Sequence, residues 1–209
     1  MSGAAPVFGL LAGLAAVACT VPYVRDTLRR TTVPHRGSWL IWGVLEVVAV
    51  EAQRADGARW SLVPLVAQCV GTCLVFGLSV RLGSGGLSRG DLALLSLAGL
   101  GVAGWQAVDR PVVATTCVIT ADLAAALMML PKTWCDPRSE TLSTYALAAA
   151  SGALAVGAVG TLSVQLLMYP VYFVGVNAAL SVVIVHRRGA LERLVAGPAE
   201  PRPGVLAVR

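Results

Sequence analysis

Seven apolar runs in succession, most of them near the roughly 20 residues a helix needs to cross a hydrocarbon core, constrain this chain more than any other feature. They cover residues 4–24, 38–53, 60–82, 91–108, 112–131, 142–160 and 163–186. Only 13% of the 209 residues are charged, against about 25% in a soluble domain. A soluble fold of this length would have to bury nearly every helix on all sides, which its surface-to-volume ratio forbids. The sequence therefore predicts an all-α integral membrane protein, multi-pass in the cell membrane, with the lipid bilayer as its first partner. MSGAAPVF has no basic segment ahead of the first run, so that run is expected to stay as a helix and not to leave as a signal peptide.

The charge that remains sits between the runs. Arg25, Arg29, Arg30, Arg36, Arg81, Arg89, Lys132, Arg138, Arg187, Arg188, Arg193, Arg202 and Arg209 fall after the first, third, fifth and seventh runs. Arg54, Arg59 and Arg110 fall on the opposite side. Because Lys and Arg are retained in the cytoplasm, the N-terminus is expected outside and the C-terminus inside. The net charge of +5 is thereby a topology signal and not a nucleic-acid footprint. Trp39 and Trp42 are expected to anchor the short second run at the interface.

The first three runs and the last three echo one another. Pro22 closes the first run and Pro131 the fifth, each ahead of an acid-bearing turn with Asp26 or Asp136. The next helices open on Ser38-Trp39 and on Ser143-Thr144-Tyr145, and the third members hold Pro64 with Gln68 and Pro170 with Asn177. Equivalent runs lie four apart, so both halves face the same way: a parallel repeat. The expected organisation is a first three-helix bundle at 1–82, a linker helix with its loops at 83–110, a second bundle at 111–188, and a disordered cytoplasmic tail at 189–209.

With Pro22-Tyr23, Pro34-His35-Arg36, Ser38-Trp39, Asp122, Pro131-Lys132 and the turn from Asp136-Pro137 to Glu140-Thr141, this layout resembles the PQ-loop and SWEET superfamily of small seven-helix carriers. The positions of that family's proline–glutamine pair read Pro22-Tyr23 and Pro131-Lys132 here. The resemblance implies a 3+1+3 fold working by alternating access, with prolines as hinges and a helix-seven asparagine near the substrate, here Asn177.

Four side chains stand out as candidates for a substrate or ion pathway: Glu46, Asp122, Asn177 and Gln68. An acid near a helix centre costs about 2.5–3.5 kcal/mol on insertion, so such residues face a bundle interior or a wet cavity. Glu46 and Asp122 are expected to bind a cation, an amine or a proton; the plain alternative is a protonated acid bonded to a neighbouring helix. Trp105 and Tyr145 are weaker candidates. Glu51 reads equally as a hydrated interfacial acid or a gate. Pro22, Pro64, Pro131 and Pro170 are candidate hinges, since a proline within a helix leaves a carbonyl unbonded and permits a kink.

Several chemistries are not favoured. Gly99, Gly101 and Gly104 have GxGxxG spacing but lie inside an apolar run, where they read as a packing face and not a dinucleotide site. The five cysteines match no zinc or haem spacing. HExxH and GxSxG are missing, and no cofactor is expected. The acids Asp26, Asp136 and Glu140 form a weak candidate for a divalent ion on the inner face. The leading expectation is a small-solute carrier, of monomeric or homo-oligomeric state, whose substrate the residues do not name. The alternative is a non-transporting membrane receptor or assembly protein of the same fold.

Overall fold

The computed structural model describes residues 3–85, 88–108 and 110–196. Among them are seven α-helices: α1 (Ala5–Leu28), α2 (Arg36–Ala55), α3 (Leu62–Leu82), α4 (Arg89–Val108), α5 (Pro111–Cys135), α6 (Leu142–Val159) and α7 (Val164–Ala196). A 3₁₀ turn at Pro137–Ser139 links α5 to α6. Helices α1, α3, α6 and α7 up to Leu194 are long and apolar enough to cross a membrane, and α5 carries a shorter apolar segment, Pro111–Leu127. Arg36, Glu46, Glu51 and Arg54 make α2 too charged to join that group.

The outer surface is that of a lipid-solvated protein. Val7, Leu10, Leu11, Leu14, Val17 and Val21 of α1 are exposed, as are Val66, Val70 and Leu74 of α3. Inside, the residues turn small: Ala12, Ala16, Ala49, Ala121, Ala148 and Ala155 are buried. Lipid tails are as apolar as leucine, so burying leucine gains little there; helices associate by close backbone approach and interhelical hydrogen bonds. Gly9 and Gly13 show this. A Cβ at Gly9 would stand 2.6 Å from the Trp60 carbonyl oxygen, and one at Gly13 would stand 2.7 Å from a Val63 methyl. Across the molecule the Ser151 hydroxyl donates to the Ala12 carbonyl at 2.8 Å, tying α6 to α1.

The contacts close six helices into a ring in the order α1, α3, α2, α5, α7, α6 and back to α1. Helix α4 lies outside it, packed on α5 and α2. Gly101 and Gly104 let α4 lie against Cys117 and Val113 of α5, the packing role expected of them, whereas Gly99, expected on the same face, has nothing within 4 Å.

Three expectations need correction. Pro22 and Pro131 do not end their helices: α1 runs on to Leu28 and α5 to Cys135. A proline removes one hydrogen bond, to the carbonyl four residues back, and the next turns can continue around it. The expected tail is helical as far as Ala196. Arg187 lies over the Trp134 ring at 4.5 Å and donates to the Trp134 carbonyl at 2.9 Å, while Arg188 donates to the carbonyls of Pro137 and Glu140. These bonds dock the end of α7 on the α5–α6 turn; residues 197–209 lie outside the described residues. Trp39, expected at the lipid interface, is buried against Tyr23, Val75 and Trp42.

Candidate functional site

Helical spacing brings the chemistry to the ring's centre. On α2, Trp39, Trp42 and Glu46 follow one another at three and four residues and so share a face. Gln68 and Thr72 do the same on α3, Asp122 and Ala126 on α5, Thr144, Tyr145 and Ala148 on α6, and Phe173, Val176, Asn177 and Leu180 on α7. All of them line one cavity of about 70 Å³ in the half of the ring nearer the arginine-rich turns, the basic end. A smaller chamber of about 30 Å³ lies towards the other end, lined by Gln53, Ser61, Pro64, Ser151 and Tyr169 among others. Gln68 and Phe173 line both, so these two side chains separate the chambers.

The four sequence-derived pathway residues therefore meet in one place. Asp122 is held across the α5–α7 seam: the Tyr172 hydroxyl donates to its Oδ2 at 2.5 Å. Glu46 is 7% exposed and its Oε2 is buried without a hydrogen-bond partner. The Thr144 hydroxyl is likewise buried and unpartnered, and Thr144 lines the same cavity. Buried polar groups are nearly always satisfied, so two orphans on one cavity wall mark a place where something polar can be received. Asn177 spends its amide on the Phe173 carbonyl at 2.9 Å, one turn back in its own helix. Gln68 uses its Oε1 to accept from the Cys19 thiol at 3.2 Å, a link to α1. Trp105, on α4, is outside the ring and lines neither chamber, whereas Tyr145 lines the larger one.

The basic end is closed by a polar seam that the sequence reading did not find. The Thr141 hydroxyl donates to Asp26 Oδ2 at 3.1 Å. Its one proton is then spent, so the Thr32 hydroxyl donates to Thr141 Oγ1, also at 3.1 Å. The Tyr145 hydroxyl donates to Glu140 Oε2 at 2.8 Å. Above the cavity the rings of Tyr23 and Trp39 lie 4.7 Å apart. The two echoing turns thus meet through threonine hydroxyls and Asp26. Asp26, Asp136 and Glu140 form no metal-holding group among the described residues. At the opposite end Gln53 donates to the Gln165 carbonyl at 3.2 Å, joining α2 to α7. Glu51 pairs with Arg54 at 2.8 Å with half its side chain exposed, the hydrated form of its two expected roles.

His35 and Arg36 organise the loops at the basic end. His35 caps α2, its Nδ1 accepting from the Ser38 amide at 3.3 Å, and its ring lies where a side chain on Gly85 would be (φ +72°). Arg36 donates to the carbonyls of Ser79, Gly83 and Gly85 at 2.8–2.9 Å. The planar guanidinium suits three acceptors held in one plane, as a lysine would not. Prolines 22, 131 and 170 lie inside helices, whereas Pro64 stands in the first turn of α3, where its missing N–H has no intrahelical partner to lose.

Comparison of the chain with protein-family models, curated proteins and solved structures gave no match.

Proposed function

We propose that this protein is a small-solute membrane carrier of the 3+1+3 type, working by alternating access and linked to a cation or proton through its buried acids. All seven helices cross the membrane in this reading, with the N-terminus outside and the basic end in the cytoplasm. One observation carries it: Glu46 and Asp122, on helices from different halves of the chain, line the same cavity. An acid in a membrane interior is costly, and two on one cavity wall are costlier; a pathway that needs them explains their position.

The pattern of contacts supports two bundles. Helix α3 lies between α1 and α2, and α7 lies between α5 and α6. The α1–α6 contact has its counterpart in α5–α2. These are the neighbours expected when one three-helix unit is repeated about an axis along the membrane normal. The cavity lies between the two units, with a seam of hydrogen bonds at one end and the Gln53 link at the other, so each seam is placed to open as the halves rock.

Purified protein in liposomes tests this reading. Solute flux is expected from the wild type and is lost in Glu46→Gln and in Asp122→Asn, with both variants inserted and monodisperse. Normal flux in both variants sinks the pathway, and specific binding without flux replaces the carrier by a receptor of the same fold.

A further inference from the structure

We infer that the larger chamber is a binding site for a small organic ammonium ion, a primary or secondary amine without a carboxylate. The inference rests on the carrier reading for what the site is used for, but its chemistry follows from the walls alone.

Three features of the walls select the ligand. First, the unmet hydrogen-bonding capacity at the cavity includes an acceptor. Glu46 Oε2 is an orphan, and the Thr144 hydroxyl can accept as well as donate. Both residues are more than nine-tenths buried, and both line the cavity. A ligand that donates several N–H bonds from one charged centre answers this need, as a neutral solute does not. Second, no arginine, lysine or histidine is among the lining residues, while two carboxyl groups are. An amino acid would bring a carboxylate that has no cation to meet and two acids to repel it. Third, four of the lining residues are aromatic, Trp39 and Trp42, edge to face at 5.4 Å, with Tyr145 and Phe173, beside the neutral Gln68, Thr72 and Asn177. Indole faces attract organic cations, and Trp does so best. A metal ion is less well served, because the described residues form no group of three or more His, Cys, Asp or Glu side chains that could hold one. The volume of about 70 Å³ limits the organic part to a few carbons.

The test compares three isosteric probes on the detergent-purified wild type: n-propylammonium, n-propanol and propionate. Saturable thermal stabilisation and quenching of tryptophan fluorescence are expected from propylammonium only. Equal stabilisation by propanol or propionate, or none by any of the three, overturns the inference. Glu46→Gln is expected to weaken propylammonium binding about tenfold or more; Trp42→Leu, which keeps both acids, is expected to weaken it and to reduce the fluorescence change, leaving the part due to Trp39. Should Glu46→Gln not fold, the wild-type selectivity and Trp42→Leu still decide. Uptake of labelled propylammonium into liposomes separates this inference from the carrier reading. Binding without uptake keeps the ligand class and discards transport. Uptake of a neutral solute without propylammonium binding keeps transport and discards the ligand class.

Discussion

A glycine whose missing Cβ faces a backbone carbonyl is a firmer constraint than one facing a movable side chain. Gly9 is of that kind, 2.6 Å from the Trp60 oxygen, whereas Gly77 has nothing within 4 Å. Gly9→Leu should destabilise the protein by roughly 1–3 kcal/mol, the usual cost of overpacking. Gly77→Ala should stabilise it slightly through helix propensity. Thermal unfolding in detergent checks the pair; equal effects would show that Gly9 is not a packing contact. Asp56, just past the C-terminal end of α2, is a second local conflict. Burial of its Oδ2, which has no partner, raises its carboxyl above the ordinary aspartate range. A raised folded-state value means that stability is fullest below the unfolded value and is lost as pH rises through the folded one. The helix dipole disfavours the carboxylate there as well. Asp56→Asn is expected to flatten this loss, so that stability depends less on pH than in the wild type as pH rises above the ordinary aspartate value. An unchanged profile would refute it. The acids and amides that line the cavity were legible in the sequence because such a residue in an apolar run is conspicuous. Thr32 and Thr141 were not, because a threonine at a helix edge gives no signal until its partner more than 100 positions away is known.

The helices themselves were largely legible, since hydropathy marks where they run and Arg-rich turns mark where they stop. Their ends were not. A proline reads as a stop, yet α1 passes Pro22 by nearly two turns, to Leu28, and α5 passes Pro131 by about one, to Cys135. Three prolines within helices leave the carbonyls of Ala18, Leu127 and Leu166 without the backbone N–H that normally reaches them. A soluble helix would lose about 3 kcal/mol for each such proline; here the packed neighbours make them tolerable. Where flexibility is the reason they stand there, restoring the bond should raise stability and lower flux. Pro22→Ala and Pro131→Ala are therefore expected to raise the unfolding temperature by a few degrees while slowing uptake in liposomes. A stability gain with full uptake would show that these prolines are tolerated and not used. Pro64, in the first turn of α3, has no such bond to restore, so Pro64→Ala is expected to bring no gain in unfolding temperature.

At the scale of the whole molecule, ring order was out of reach of the sequence. Hydropathy says that a helix crosses a membrane but not which neighbour it meets. The order α1, α3, α2, α5, α7, α6 emerges from small residues, such as Gly13 against Val63 or Ser151 against Ala12, whose partners lie in other helices. The side on which the basic end lies is an expectation from charge, since thirteen of the sixteen basic residues follow the first, third, fifth and seventh apolar runs in the sequence. That gives the last prediction. Cys135 is a free, exposed thiol at the basic end of α5. Cys73 is also exposed but stands in the middle of α3 among apolar outward-facing residues, where a water-soluble reagent does not reach it. A membrane-impermeant maleimide should therefore label Cys135 in inside-out vesicles and leave it unlabelled in intact cells, and Cys135→Ser should remove the signal. Arg59→Cys, in the exposed link between α2 and α3, should show the opposite pattern. Labelling of Cys135 from outside would invert the molecule. The cavity, the two acids and the seams would remain, but the Thr32–Thr141–Asp26 seam would then close the outer mouth of the path and Gln53 the inner one.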